Sequence, residues 1–403
     1  MFRTRCMVCD SGDLQTVVDL GMHPFADTFV APERASEADR FYPLACDLCT
    51  SCGHFQLRCR TDPEARYSEH DYSYTSSNSA FSRGHWERYA EDVGRQNGLS
   101  AGDVVVEVGS NDGYLLEQFK KQGARVLGID AAPAMADLAA ERGVETLVGL
   151  FDSQLGARAQ GKFGAAKLVL ANNVFNHADD IVGFAKAAAE LLAPNGTFVF
   201  ELPYWCQGIR DGHFDQIYHE HVSYLTARSS QRIGRAAGLN VHKIEVVNYH
   251  GGSLRVSTRL GRPGVWEDPN LAQMIAQEVS DGMFDVNTYR EFTKAIEVRR
   301  NRFLEQFYAL KNRGVAVVGV GAAAKGNTML NYYRLDQTLV DCVTDASPYK
   351  QGKYTPGTRI PIRGDEVLSG YGSVAALILS WNIADTLKAK LREINPSIEF
   401  LHP

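Results

Sequence analysis

The chain has 403 residues, more than one ordinary domain holds, and its 44% hydrophobic content is that of a globular protein with cores to fill. A formal net charge of −6, with no long basic run, argues against a nucleic-acid-binding surface. The opening MFRTRC carries no apolar signal segment, and the longest apolar run, near 315–324, is too short to cross a bilayer. The expectation is a cytoplasmic protein with no membrane or nucleic-acid partner, whose eight cysteines bind metal or stay reduced.

The first stretch holds Cys6-x-x-Cys9 and Cys49-x-x-Cys52-Gly53. Two such pairs separated by a loop-rich segment make a zinc-ribbon pattern, in which each pair wraps one side of a tetrahedral metal. Four thiolates leave no open position, so the zinc is expected to be structural. Cys46-x-x-Cys49 also fits the spacing. The pair Cys49 and Cys52 is preferred because only it is followed by a turn glycine. Between the pairs, DLGMHPFAD at 19–27 reads as a loop, a lid or substrate loop. The hydroxyl-rich run at 72–79, with Tyr72 and Tyr74, precedes an amphipathic helix over 80–96 with Ser79 as its N-cap.

At 104–108, VVVEV is a buried strand running into the turn GSNDG. A helix over 114–121 follows, then a strand over 125–129 that ends on Asp130. This is half of a nucleotide-binding βαβ unit. Gly109 and Gly113 are spaced G-x-x-x-G, sparser than the G-x-G-x-x-G that a pyrophosphate needs, which suits a nucleoside without phosphate. Asp130 sits where an acid accepts the two ribose hydroxyls. Further on come a helix over 134–142 and a strand over 145–148. Phe151 can then cover adenine, and Asp152 can accept its amino group. The strand at 167–171 ends in NNVFNH, which puts Asn173 and His177 at the carboxyl-end cleft where open α/β sheets bind ligands. A helix over 181–192 and strands over 197–201, 241–247 and 253–260 close the unit. Glu107, Gly109, Gly113 and Asp130, with Asn111 in the same turn, resemble the first two motifs of class I S-adenosylmethionine methyltransferases.

Between the last strands lies FDQIYHEHVSY, residues 214–224. His219 and His221 are two apart, so no HExxH zinc helix forms. Histidine is the natural proton acceptor near neutral pH, a glutamate can orient it, and a tyrosine can donate to a developing oxyanion. His250-Gly251-Gly252 adds an imidazole beside a flexible turn. The charged region over 267–310 reads as a connecting helix pair. VAVVGVGAAAKG at 315–326 is a second strand, glycine turn and helix. Strands over 340–344 and 375–380 follow, ending at Asp345 and at Trp381-Asn382. G-x-G-x-x-A alone is a weak sign of NAD. The polar turn at 347–353 suits a phosphorylated substrate instead, with Lys325, Lys350 and Lys353 supplying charge and the helix start after Gly321 supplying amides.

The expected architecture is α/β: a zinc-binding domain over 1–68, a class I methyltransferase Rossmann-like domain over 69–260, and a second Rossmann-like domain over 261–403 that binds a nucleotide sugar. The whole pattern resembles the nucleotide-sugar C-methyltransferases of deoxysugar biosynthesis, such as the C-3 methyltransferases. The residues carrying that resemblance are the four cysteines, YTSS from Tyr74, EVGSNDG from Glu107, Asn173 and His177, DQIYHEH ending at His221, His250, GVGAAAK ending at Lys325, Lys350 with Lys353, and Trp381 with Asn382. The resemblance implies S-adenosylmethionine as methyl donor and a keto sugar on a nucleoside diphosphate, commonly dTDP, as acceptor, handled by a monomer. It implies His221 as the base, Tyr218 on the enolate oxygen, Glu220 orienting His221, and Tyr74 and His177 holding the sugar. Position 130 is Asp where the family also has Glu, and His219 sets a second imidazole beside the base. The same machinery also suits epimerisation or O-methylation. A zinc-ribbon RNA-binding methyltransferase is the reading from another class, and the acidic balance counts against it.

Overall fold

The protein is described by a computed structural model over residues 2–67, 75–77, 79–261 and 267–401. Its centre is a seven-stranded sheet in the order Leu239–Val247, Ser253–Leu260, Leu192–Pro203, Ala166–Asn172, Val104–Val108, Arg125–Asp130 and Thr146–Val148. The last five of these are parallel neighbours, and Ser253–Leu260 runs antiparallel to Leu192–Pro203. Every residue of Val104–Val108 is buried, as expected of a β-branched strand with helices on both faces. The chain winds outward from Val104–Val108 to Thr146–Val148, then crosses back to Ala166–Asn172 on the other side. The two diverging connections open a crevice at the carboxyl ends of those strands. This is the class I methyltransferase fold anticipated from the sequence.

A second sheet has five strands, all parallel to their neighbours, ordered Ile362–Arg363, Val343–Thr344, Ala316–Val320, Val374–Ile378 and Glu399–Leu401. It too reverses at its first strand, so its crevice lies beyond Val320 and Ile378. The helix pair Pro269–Ser280 and Val286–Asn312 connects the two sheets in sequence, as anticipated.

The N-terminal part holds more regular structure than its residues suggest. Leu14–His23, Tyr42–Cys49 and Phe55–Leu57 form an antiparallel sheet, so the expected loop at 19–27 begins as strand. The register shifts between Asp19 and Met22, and Gly21 there has φ 85. A bulge with a left-handed glycine reads as a turn in sequence because its composition is that of a turn. The fourth strand of this sheet, Ser223–Tyr224, comes from the centre of the chain and pairs with Phe55 and Gln56. Phe55 stacks on Trp205 at 4.9 Å and on Tyr289 at 4.8 Å, so all three parts of the chain meet at one buried ring. Truncating such a ring costs about 3–5 kcal/mol. Further along, residues 24–39 cross to the C-terminal sheet. Asn327 Nδ2 donates to the Ala26 carbonyl at 2.7 Å, Val30 bridges Tyr354, and Arg359 pairs with Asp39 at 2.5 Å. No helix among the described residues is long and apolar enough to cross a membrane.

Candidate active site

The crevice of the central sheet is a cavity of about 420 Å³. Glu107, Gly109, Asn111, Asp130, Phe151 and Asn173 line it, together with His177, expected at the sugar; this brings together the residues expected around the methyl donor, all but one. The exception is Gly113. It adopts φ 74 ahead of helix Tyr114–Lys121, and a Cβ there would lie 3.0 Å from that of Ala139, so it serves packing behind the turn. Gly109 is the glycine that lines the cavity: its φ is 70, and a Cβ would stand 2.8 Å from that of Val174. Asn111 and Asn173 flank the cavity, both at φ 51, a left-handed conformation that non-glycine residues seldom hold.

Asp130 accepts the Asn111 amide at 2.8 Å through Oδ2 and the Ala132 amide at 2.9 Å through Oδ1. Each oxygen keeps a lone pair for a ribose hydroxyl. Burial raises its carboxyl above the usual range against those amides, and it raises Glu107 further, with Asp112 adding repulsion. A cationic donor entering this cavity meets two acids short of counter-charge. Phe151 lies edge-on to Phe184, 4.8 Å between centroids. Asp152 is part-used: its Oδ1 accepts the Leu155 amide and caps helix Ser153–Phe163, an element the sequence reading left unassigned. Ser76 reaches the rim, its amide donating to Asn111 Oδ1 at 2.8 Å and its hydroxyl to Asp112 at 2.6 Å. Tyr74, expected at the sugar, lies outside the described residues.

The loop 214–222 stands next to this cavity. His221 Nδ1 faces the Gln216 carbonyl at 2.8 Å, and its Nε2 lies 2.6 Å from the Tyr218 hydroxyl. A carbonyl only accepts, so Nδ1 carries the proton and Nε2 holds the lone pair that Tyr218 caps. Burial drives this imidazole down to about 3, so it is neutral at working pH. The His177 ring is 5.2 Å from that of His221, linking the loop to the donor cavity. His219 turns the other way and is buried between Phe25, at 5.6 Å, and Tyr42, at 5.8 Å, as a core residue. The role expected of Glu220 is corrected. The Gln216 carbonyl orients His221, whereas both Glu220 carboxyl oxygens are buried without a hydrogen-bond partner among the described residues. Gln216 was missed because a backbone acceptor leaves no trace in residue type. Arg66 was missed with its short helix, Pro63–Tyr67; it pairs with Asp179 and donates to the His219 carbonyl at 3.3 Å.

The C-terminal sheet brings Lys325, Trp381 and Asn382 to the same loop. Lys325 Nζ donates to Asn382 Oδ1 at 3.0 Å and sits 4.5 Å above the Trp381 ring. Trp381 Nε1 donates to Asp215 Oδ2 at 2.6 Å, and its ring stacks on His213 at 3.9 Å. His250, at φ 50, packs tilted against Tyr249 at 4.0 Å, and burial, then the charge of Lys325, lowers its imidazole well below the usual range. Lys350 is placed differently from the other lysines. It is buried, donates to the Ala322 carbonyl at 2.6 Å and lies 5.0 Å over Phe29, clamping the glycine turn to the N-terminal part. Lys353 is half-buried at the end of that turn, its amide donating to the Lys350 carbonyl at 3.1 Å. Asp345 repeats the geometry of Asp130, accepting the Ala322 amide at 2.8 Å and the Ser347 amide at 2.8 Å.

Sγ atoms of Cys6, Cys9, Cys49 and Cys52 all lie within 4.8 Å of one another. Cys6 and Cys52 are 3.5 Å apart, and Cys9 and Cys49 are 3.7 Å apart. A tetrahedron with Zn–S near 2.3 Å has edges of about 3.8 Å, so the set fits zinc. Cys46, the other reading of the spacing, is in the hydrophobic core instead. The cysteine pair preferred from the sequence is the one that converges.

Three family models cover most of the chain: "Putative zinc binding domain" over 6–67, "Methyltransferase domain" over 82–244, and "C-methyltransferase C-terminal domain" over 248–400. The C-methyltransferase NovU of Streptomyces niveus is 33% identical over 379 residues, covering 94% of this chain and 90% of that protein. Among solved structures, the magnesium protoporphyrin IX methyltransferase of Synechocystis with bound SAH aligns with 45% of this chain and 85% of its own. The TM-score is 0.37 and the identity 15%. The CcbJ methyltransferase of Streptomyces caelestis aligns with 44% of this chain and 89% of its own at a TM-score of 0.35 and 17% identity.

Proposed function

The chain belongs to the C-methyltransferase family, with a methyltransferase domain that uses S-adenosylmethionine, and from that premise we propose that it methylates a ring carbon of a nucleoside-diphosphate keto sugar, with dTDP as the nucleotide. The observation that carries this reading is the neutral His221, capped by Tyr218 and 5.2 Å from an imidazole lining the donor cavity. O-methylation needs no carbon base, whereas a ketone's α-proton does.

In the free protein Tyr218 donates to Nε2 of His221. When a ketone binds, redirecting the Tyr218 hydrogen bond to the carbonyl oxygen frees the Nε2 lone pair and sets a donor on the oxygen that becomes negative. His221 then takes the α-proton, and the Gln216 carbonyl keeps Nδ1–H in place for the charge that develops. The enolate's negative charge next to the new imidazolium offsets the burial that otherwise disfavours it. His177, between base and donor cavity, and Lys325, His250, Trp381 and Asn382 on the far side hold the sugar nucleotide. Bound S-adenosylmethionine would supply the electrophilic methyl for the new C–C bond, with the neutral thioether as its leaving group. Asp130 and the Gly109 turn orient that donor, and positioning supplies much of the rate.

The test is solvent deuterium exchange at the carbon next to the ketone of dTDP-4-keto-6-deoxyglucose, followed by NMR without methyl donor. Exchange is expected. Its absence for every keto sugar tried, with methyl transfer to a hydroxyl present, would put O-methylation in its place.

A further inference from the structure

Residues 24–30 of the N-terminal part are held on both sides of one carboxylate. Phe25 stacks on Tyr42 at 4.8 Å and packs on His219, the neighbour of Glu220. The Ala26 carbonyl is fixed by Asn327, and Phe29 lies beneath the ammonium of Lys350. Asp27 therefore stands where the catalytic loop, the C-terminal glycine turn and the N-terminal part meet. It is half-buried, and its carboxylate makes no side-chain hydrogen bond among the described residues. Glu220, on the facing loop, is buried, and no side chain among the described residues bonds its carboxyl oxygens; the donors that approach them are the backbone amides of Asp27 and of Glu220 itself. Fixed, desolvated polar groups without partners are rare in finished cores and are expected where a ligand completes them.

We propose that Asp27 is a substrate-contacting residue, which with Glu220 receives a ring hydroxyl of the sugar between the reacting centre and the C-terminal turn. This rests on the keto-sugar reading above. Burial, and then Asp27 itself, push the Glu220 carboxyl up to about 7; burial also raises Asp27, against the pull of Lys350. Burial and their mutual repulsion both favour keeping a proton on the pair. The pair then offers both a donor and an acceptor, which is what a neutral hydroxyl uses. A sugar amine is disfavoured, because the charges of Arg66 and Lys350 already act on this pair. The N-terminal part thus contributes a wall of the acceptor site in addition to its metal.

The experiment compares wild type, Asp27→Asn and Asp27→Ala with dTDP-4-keto-6-deoxyglucose and with its analogues lacking one ring hydroxyl each. Donor affinity and zinc content are measured on every variant. Expected for Asp27→Ala is a KM raised tenfold to about a hundredfold, the loss of a hydrogen bond to a charged group, with donor affinity and zinc unchanged. One deoxy analogue should lose as much in the wild type and little further in Asp27→Ala, since the two changes remove the same contact, whereas Asp27→Asn, which can still bond a hydroxyl, should lose less. An unchanged KM in both variants of an active enzyme overturns the proposal alone. Lowered thermal stability with additive losses for every analogue also overturns it, assigning Asp27 to holding the fold. A wild-type enzyme that turns over no keto sugar overturns the substrate reading, and this proposal with it.

Discussion

The hydroxyl of Tyr218 lies 2.6 Å from Nε2 of His221, three residues on, while Nδ1 of the same ring is tied to a backbone carbonyl. The ring is thereby fixed in one tautomer with its lone pair covered until a better acceptor for the tyrosine arrives. Replacing His221 with Ala should abolish solvent exchange and lower methyl transfer by about 10²–10⁴, the usual range for a positioned general base. Tyr218→Phe should leave part of the exchange, since the base survives, but slow it by removing the donor on the enolate oxygen. Donor affinity, measured calorimetrically, should change in neither. Exchange that persists in His221→Ala and is lost in His177→Ala would move the base across the 5.2 Å between the two rings.

The zinc cluster and the catalytic loop are coupled through the N-terminal sheet. Cys52 precedes Phe55–Leu57, and that strand pairs with Ser223–Tyr224, which begins two residues after His221. Cys49→Ser should lose the metal, lower thermal stability and depress solvent exchange more than donor binding, because the loop loses its sheet while the donor cavity does not. Cys46→Ala should keep zinc. Metal analysis with exchange rates decides it; full exchange in a metal-free protein would show that the loop holds itself.

What the residues gave away, and what they hid, divides along physical lines. Val104–Val108 with its turn and Asp130 was legible because strand, glycine and acid are local and mutually reinforcing. The cysteine pairs were legible because ligand spacing is a chain property. The fourth strand of the N-terminal sheet was hidden: Ser223–Tyr224 is two residues long and pairs with a partner far away in sequence. The roles of Gln216, Glu220 and Lys350 were hidden too, since a carbonyl acceptor, an unpaired acid and a buried ammonium depend on tertiary placement and not on residue type.

The buried imidazoles set the acid limit of stability. Burial drives His23, His213 and His219 down to about 4 and His221 to about 3. Unfolded histidine titrates near 6.5. Below that value the unfolded chain binds protons that the folded one refuses, so stability falls as pH drops from about 6.5 towards 4. Glu220 has the opposite sign. With its folded value raised to about 7, it favours the fold below its unfolded value near 4.5, and that contribution is lost as pH rises through 7. Denaturation of Glu220→Gln should therefore show a protein more stable than wild type at pH 8 and little different at pH 4. A variant less stable at pH 8 would mean that Glu220 is ionised at no cost.

Lys325 is a cation that the C-terminal sheet brings to the loop holding Asp215 and His221. Burial lowers its ammonium to about 8, with Asp215 pulling the other way. It lies between Asn382, which accepts its proton, and the Trp381 ring. If it binds the anionic part of a sugar nucleotide, substrate affinity depends on its charge and weakens as pH climbs past about 8. The free-enzyme profile of kcat/KM should then carry an alkaline limb near that value. His221 is already neutral throughout that range and cannot produce it. His213 and His250, the nearby imidazoles, are lowered in the same way and are neutral there too, while burial raises the Asp215 carboxyl against the pull of Lys325 and the Trp381 indole. Lys325→Arg keeps the charge at every accessible pH, so the limb should disappear while activity at pH 7 drops for loss of fit. Lys325→Met should raise KM by about tenfold or more, as expected when a charged hydrogen bond is removed, with kcat less affected. An alkaline limb that survives in Lys325→Arg would assign it to another group. A KM unmoved by Lys325→Met would leave the ammonium to the Trp381 stack alone.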